Sequence, residues 1–155
     1  MLVDGAIVAM APPSSFHSRI ASNVAFAIQR HLKPPCGAMV AAGIKLASDT
    51  CALADIAMIC EQLQPPKLME QPLLLVEVLS PSTRRTDFGV KILGYQELPS
   101  AREIWAVDSE ERSVRVWRRA GDEWIMTLPI RAGSFHSPVL GDEIALDELY
   151  AGTDL

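Results

Sequence analysis

Apolar positions along the chain follow two rhythms. Phe16, Ile20, Val24, Ile28 and Leu32 recur at helical spacing, with Ser14 and Ser15 as candidate caps before them and Pro34-Pro35 and Gly37 after. One helix is predicted there. Three short runs follow, 38–47, 53–60 and 73–79, rich in Val, Ile and Leu, and they read as largely buried strands, although periodicity alone leaves a short helix open. Ahead of the helix, the stretch 2–10 carries Asp4-Gly5 and then alternates, which predicts a strand entered through a tight turn.

Ser80-Pro81-Ser82-Thr83 breaks the third run. A second helix is predicted from about Thr86 to Glu97, with Thr83 or Thr86 as its cap, and Leu98-Pro99-Ser100 ends it. Stretches 102–107, 113–118 and 123–128 then read as an antiparallel meander, and Leu146 to Tyr150 as a helical turn. The order predicts an α/β (α+β) fold. Its mixed central sheet would be flanked by helices and followed by a C-terminal antiparallel meander. The 155 residues read as one domain, without repeat or linker.

Charge and cysteines narrow the function classes. A net charge of -5 argues against nucleic-acid binding by bulk charge, so any such function must rest on a local site. Cys36, Cys51 and Cys60 are odd in number and form no CxxC pair, so they read as reduced, mostly buried thiols of a cytoplasmic protein. The N-terminus lacks a basic leader, and no run reaches about 18 apolar residues, so no signal peptide and no membrane partner are expected.

Two acidic residues stand where the core should be. Asp55 interrupts Leu53-Ala54-Asp55-Ile56-Ala57-Met58-Ile59, and Glu77 interrupts Leu73-Leu74-Leu75-Val76-Glu77-Val78-Leu79. A carboxylate in a buried strand costs several kcal/mol unless it is paired, hydrogen-bonded or metal-bound. Each alone fits an arginine pair or a turn cap as well as a site. Both together, in consecutive strands, favour one cleft holding a hard divalent cation such as Mg2+.

The second helix adds Asp87, Lys91 and Tyr95 at i, i+4, i+8. Lys91 can reach the carboxylates and orient an attacking water, although spacing alone favours a surface lysine paired with Asp87. Arg84 and Arg85 suit phosphate contacts or a solvated loop. His17, at the first turn of the first helix, is a candidate for the same cleft. His31 and His136 carry no partner pattern. No HExxH, CxxC, GxSxG, Walker or GxGxxG motif is present, and Ser80 has no spacing that supports a hydrolytic triad. Trp105, Trp117 and Trp124 are read as sheet packing, with Arg112, Arg115, Arg118 and Arg119 nearby as a weak candidate partner surface.

These residues carry a resemblance. Leu75-Val76-Glu77-Val78-Leu79-Ser80-Pro81-Ser82-Thr83, then Asp87, Lys91 and Tyr95, then Glu103-Ile104-Trp105-Ala106-Val107-Asp108, resemble the Uma family of restriction-endonuclease-like bacterial proteins. Asp4-Gly5-Ala6-Ile7-Val8-Ala9-Met10 with Pro12-Pro13 and His17, and the later Ser137-Pro138-Val139-Leu140-Gly141 and Leu149-Tyr150, extend the resemblance over nearly the whole chain. It implies a PD-(D/E)XK nuclease-like core with Asp55 and Glu77 as the acidic pair. The family's pattern places the catalytic lysine on the next helix, which the resemblance makes Lys91; Leu79 at the strand position two after Glu77 is consistent with that. Two departures are Ala54, where the family has proline, and a first strand without the short helix that precedes it in relatives.

The implied activity is metal-dependent endonucleolytic hydrolysis of nucleic-acid phosphodiesters, with DNA the expected substrate. Asp55, Glu77 and the carbonyl of Val78 would hold Mg2+, with Mn2+ as a substitute, and Lys91 would position water or neutralise the transition state. His17, Ser80, Arg84, Arg85, Asp87 and Tyr95 are the second tier for orientation or substrate contact, and a homodimer would address two strands. The rival readings are a nuclease-fold binding or regulatory module without activity, and a metal-dependent hydrolase of a smaller phosphate ester.

Overall fold

The first helix is built as its sequence pattern predicts. In the computed structural model, which describes residues 2–3, 5–7, 12–62, 68–82, 84 and 87–155, α1 spans Ser15–Gln29. Ser14 caps it, its hydroxyl accepting the His17 N–H at 3.2 Å. Ile20, Val24 and Ile28 are fully buried against the sheet. The N-terminal stretch forms a small hairpin, β1 (Leu2–Val3) with β2 (Ala6–Ile7), turning at Gly5 with φ of 75°. The predicted continuation over 8–10, the turn residue Asp4, the cap candidates Thr83 and Thr86, and Arg85 lie outside the described residues.

The three apolar runs are strands β3 (Gly37–Lys45), β4 (Cys51–Ile59) and β5 (Leu74–Leu79). β3, β4 and β5 pair antiparallel in turn, and β5 then pairs in parallel with β6 (Glu103–Asp108). β6, β7 (Val114–Ala120) and β8 (Glu123–Met126) complete the predicted meander. Between β5 and β6 the chain runs through a π-helical turn, Asp87–Ile92, into α2 (Leu93–Glu97). The prediction of one continuous α-helix here misses that wider turn.

One core joins α1 to Ile56, Met58, Val76, Val78 and Trp105, and the other joins Ile92 and Tyr95 to Ala54, Ala57, Leu75 and Leu79. The helices therefore take opposite faces of the sheet. A hairpin of β9 (Ser134–Ser137) and β10 (Asp142–Ala145), absent from the sequence prediction, leads into the short helix α3 (Leu146–Leu149). Its strands are only four residues long, too short for alternation to register. Tyr150 locks this end: its hydroxyl accepts the Ser113 N–H at 3.0 Å and donates toward the Asp108 and Ser113 carbonyls at 2.9 Å. No helix among the described residues is long and apolar enough to cross a membrane.

The cysteine reading requires correction. Cys36 and Cys60 form a disulfide, and Cys51 is free. Gly37 pairs with Ile59 in the β3–β4 ladder, so the antiparallel register places Cys36 and Cys60 opposite each other just beyond the last rung. Their separation of 24 residues gave no hint of that pairing. The compartment inferred from reduced thiols loses that support.

Candidate active site

The site is built at a fork in the sheet. Rungs between β4 and β5 run Met58↔Leu74, Ala57↔Leu75 and Ile56↔Val76, and there they stop. One residue further, the two strands part. The Asp55 carboxylate takes over the ladder's function, its Oδ2 accepting the Val78 N–H at 2.8 Å. The strand on the other side of β4 is distorted at the same level, where the rungs step from Val40↔Ile56 to Ala42↔Ala54 and pass over Ala41 and Asp55.

Ala41 has φ of 51°, a left-handed conformation that costs a non-glycine residue about 1 kcal/mol or more. Side-chain alternation slips here: Ala52, Ala54 and Ala57 share the α2-side core, whereas Ile56 faces α1. The slip turns Asp55 toward α1, where His17 Nε2 lies 3.3 Å from Oδ2.

Glu77 keeps the regular alternation and faces α2 with Leu75 and Leu79. It is fully buried, its Oε2 accepting from Lys91 Nζ at 2.7 Å and its Oε1 from the Tyr95 hydroxyl at 2.5 Å. Lys91 is itself 1% exposed, so the surface-lysine reading is corrected: the ammonium points inward to Glu77. The π-helical turn carries Lys91, and α2 presents Tyr95 one turn later.

A cleft of about 690 Å3 opens over this arrangement. Asp55, His17 and Lys91 line it, together with Pro12, Pro13 and Phe16 on one side and Ser80, Ser82, Ser109 and Glu110 on the other. The expectation that both carboxylates project into the cleft holds for Asp55 alone; Glu77 lies behind Lys91. Burial alone raises the Asp55 pKa, but the His17 hydrogen bond, the Val78 N–H and the nearby charges of His17 and Lys91 outweigh it and hold the carboxyl below its ordinary value.

The remaining candidates sort by position. Ser80 lines the cleft and its hydroxyl is 3.0 Å from that of Ser82. Arg84 pairs with Asp108, whose other oxygen accepts the N–H groups of Glu110 and Glu111, so this arginine braces the loop that ends β6. Arg85 and the side chain of Asp87 lie outside the described residues. Trp105 is fully buried, and Arg119 stacks over Trp124 while donating to the carbonyls of Gln96, Leu98 and Ala101. His31 and His136, which showed no partner pattern, lie 3.5 Å from Asp142 and Glu143 respectively.

Sequence reasoning missed Phe16, Ala41, Leu53 and Glu110 as cleft residues. Only Leu53 carried any signal, as the apolar residue two before Asp55 and thus on its side of a regular strand. Glu103 was read only as part of a motif. It is buried on the α1 side, where it accepts from Trp105 Nε1 and Ser137 at 2.8 Å. Burial raises its pKa.

A deeply buried Glu–Lys pair thus lies one strand from a cleft-facing aspartate, and the whole-chain comparison decides the family. The profile of Uma2, described as "Putative restriction endonuclease", matches residues 1–146. The chain belongs to the Uma2 family. Its fold is shared by a crystal structure described as "a putative nuclease belonging to DUF820" from Anabaena variabilis ATCC 29413, at 20% identity and a TM-score of 0.77, covering 96% of this chain and 88% of that one. No curated relative matches this Uma2 chain.

The donor chemistry of the Uma2 site fits a hard cation in kind. Magnesium takes one or two carboxylates and completes its shell with water. Asp55 offers Oδ1, which has no hydrogen bond among the described residues, beside the cleft. Glu77 offers its carboxylate only by yielding Oε2 from Lys91. Among the described residues no cluster of three or more His, Cys, Asp or Glu side chains stands ready to hold an ion, so water must supply much of any shell.

Proposed function

We propose that this protein is a divalent-metal-dependent nuclease that hydrolyses nucleic-acid phosphodiesters, with DNA as substrate. The observation that carries the reading is the buried Lys91–Glu77 pair, whose lysine lines a cleft together with Asp55, in a chain of a restriction-endonuclease-like family. A buried ion pair is weak evidence for stability. Its place at the floor of a cleft gives it a use.

Asp55, Glu77 and the Val78 carbonyl would hold the ion, Mg2+ or Mn2+. When bound, it supplies Lewis-acid polarisation of the phosphate and a more acidic water. Lys91 lines the cleft with its ammonium held by Glu77, where it orients the attacking water and neutralises charge on the phosphoryl oxygens. His17 keeps Asp55 ionised and fixes its orientation through the contact at 3.3 Å. Tyr95 fixes Glu77 from the opposite oxygen. On a duplex, two copies of the chain would address the two strands, and sedimentation at micromolar concentration reads that assembly.

Titration calorimetry of Mg2+ and Mn2+ tests the proposal, with Asp55→Ala and Glu77→Gln alongside and their folding checked by circular dichroism, followed by cleavage of DNA and RNA with Lys91→Ala. Metal binding lost in both carboxylate variants and cleavage lost in the lysine variant is the expected result. Turnover of mononucleotide esters without polymer cleavage would replace the reading with a small-ester hydrolase.

A further inference from the structure

The cleft has two unlike walls. On the α1 side it is lined by Pro12, Pro13 and Phe16, with Ser14 and Ser15 between them, and beside Asp55 by Leu53 and Ala41. Leu53 is 40% exposed although it lies in a β-strand of otherwise largely buried residues. On the other side stand Ser80, Ser82 and Ser109, with Pro81 and Glu110 among them. Asp55 and Lys91 lie in the cleft with both walls. Flat apolar faces suit the face of a base, and hydroxyls suit phosphate or sugar oxygens.

The charge pattern agrees. A continuous duplex is gripped mainly through its phosphates, by many lysines and arginines that release counterions. Here the chain carries -5 overall. Among the described residues the Lys91 ammonium and the His17 imidazole line the cleft, each against a carboxylate. Arg112, Arg118 and Arg119 are committed to Asp147, the His136 carbonyl and the end of α2, and Arg115 lies over Phe88. Among the described residues, then, it is the walls rather than a row of free cations that offer affinity.

Resting on the nuclease reading, we infer that the cleft takes an unpaired strand: a single-stranded stretch or overhang whose base at the scissile phosphate stacks on the Phe16 and Pro12-Pro13 wall. Phe16 is then a specificity-determining residue. It sits one position before His17 on the first turn of α1, so the element that orients Asp55 also carries the stacking face.

Fluorescence anisotropy with labelled deoxyoligonucleotides of one sequence, single-stranded and duplex, tests this without divalent ion, and product gels in Mg2+ read cleavage. The single strand should bind more tightly, with a shallow salt dependence. Phe16→Ala should weaken that binding about tenfold or more, and Phe16→Trp should restore it, which separates stacking from a folding defect. Tighter binding and faster cutting of the duplex, unchanged by Phe16→Ala, would overturn the inference and leave the nuclease reading standing. Neither form bound without divalent ion nor cut in Mg2+ would overturn both.

Discussion

Replacing Lys91 with methionine keeps the length of the side chain and removes its charge. Glu77, fully buried and donated to by Lys91 Nζ at 2.7 Å, then loses that charged donor while the Tyr95 hydroxyl remains. Breaking a buried pair from one side costs about 3–5 kcal/mol, because the remaining charge stays desolvated. In a chain of this size 1 kcal/mol moves Tm by about 2–4 °C, so Lys91→Met should lower Tm by about 6–20 °C.

The double variant Glu77→Leu/Lys91→Met removes both charges and should recover most of the stability, since buried pairs are often no better than apolar replacements. It should nonetheless cut nothing. Thermal and urea unfolding followed by circular dichroism, on both variants at several pH values, checks this. A loss below about 1 kcal/mol in the single variant, the magnitude of an exposed pair, would refute a sealed Glu77–Lys91 contact.

Tyr150→Phe should cost about 1–3 kcal/mol in urea unfolding, because the Ser113 N–H would lose its acceptor inside the protein. Burial pushes the Tyr150 hydroxyl up to about 12; a folded pKa above the unfolded value means this contribution is complete below about pH 10 and is lost as pH climbs toward 12, which tyrosinate absorbance in a Tyr95→Phe background follows. Ala41→Gly should stabilise by up to about 1 kcal/mol by relieving the left-handed backbone, whereas Ala41→Val should destabilise, both read by denaturant midpoint. Non-reducing mass spectrometry after alkylation should find one modified cysteine in the native chain and three after reduction; Cys36→Ser should cost about 3 kcal/mol for a loop of this length.

The strands, the first helix and the meander were legible because each buries a face whose period survives in the sequence, as Ile20, Val24 and Ile28 show in α1. The paired carboxylates were legible for the opposite reason: Asp55 and Glu77 break apolar runs. What failed to show was geometry that depends on where a strand stops. The slip at Ala41 and Asp55 leaves no trace in residue type, so the projection of Glu77 to the other side of the sheet could not be read. Lys91 looked like a surface lysine because a π-helical turn, invisible at i+4 spacing, swings it inward. The Cys36–Cys60 pairing likewise follows from register rather than from spacing.

The fork in the sheet bears on how this site would decay. Asp55 is both a cleft residue and the acceptor that closes the β5 backbone, and Lys91 and Glu77 neutralise each other inside the core. In a lineage released from any chemistry at this site, each of the three could be lost singly only at a cost in folding, because each single loss leaves a buried group unpaired. Erosion would begin instead at the half-open wall of Phe16 and the two prolines, whose loss leaves no buried group unpaired. In an alignment of descendants, an intact acidic pair and lysine would therefore record the history of the fold. The state of that wall would record whether the chemistry is still in use.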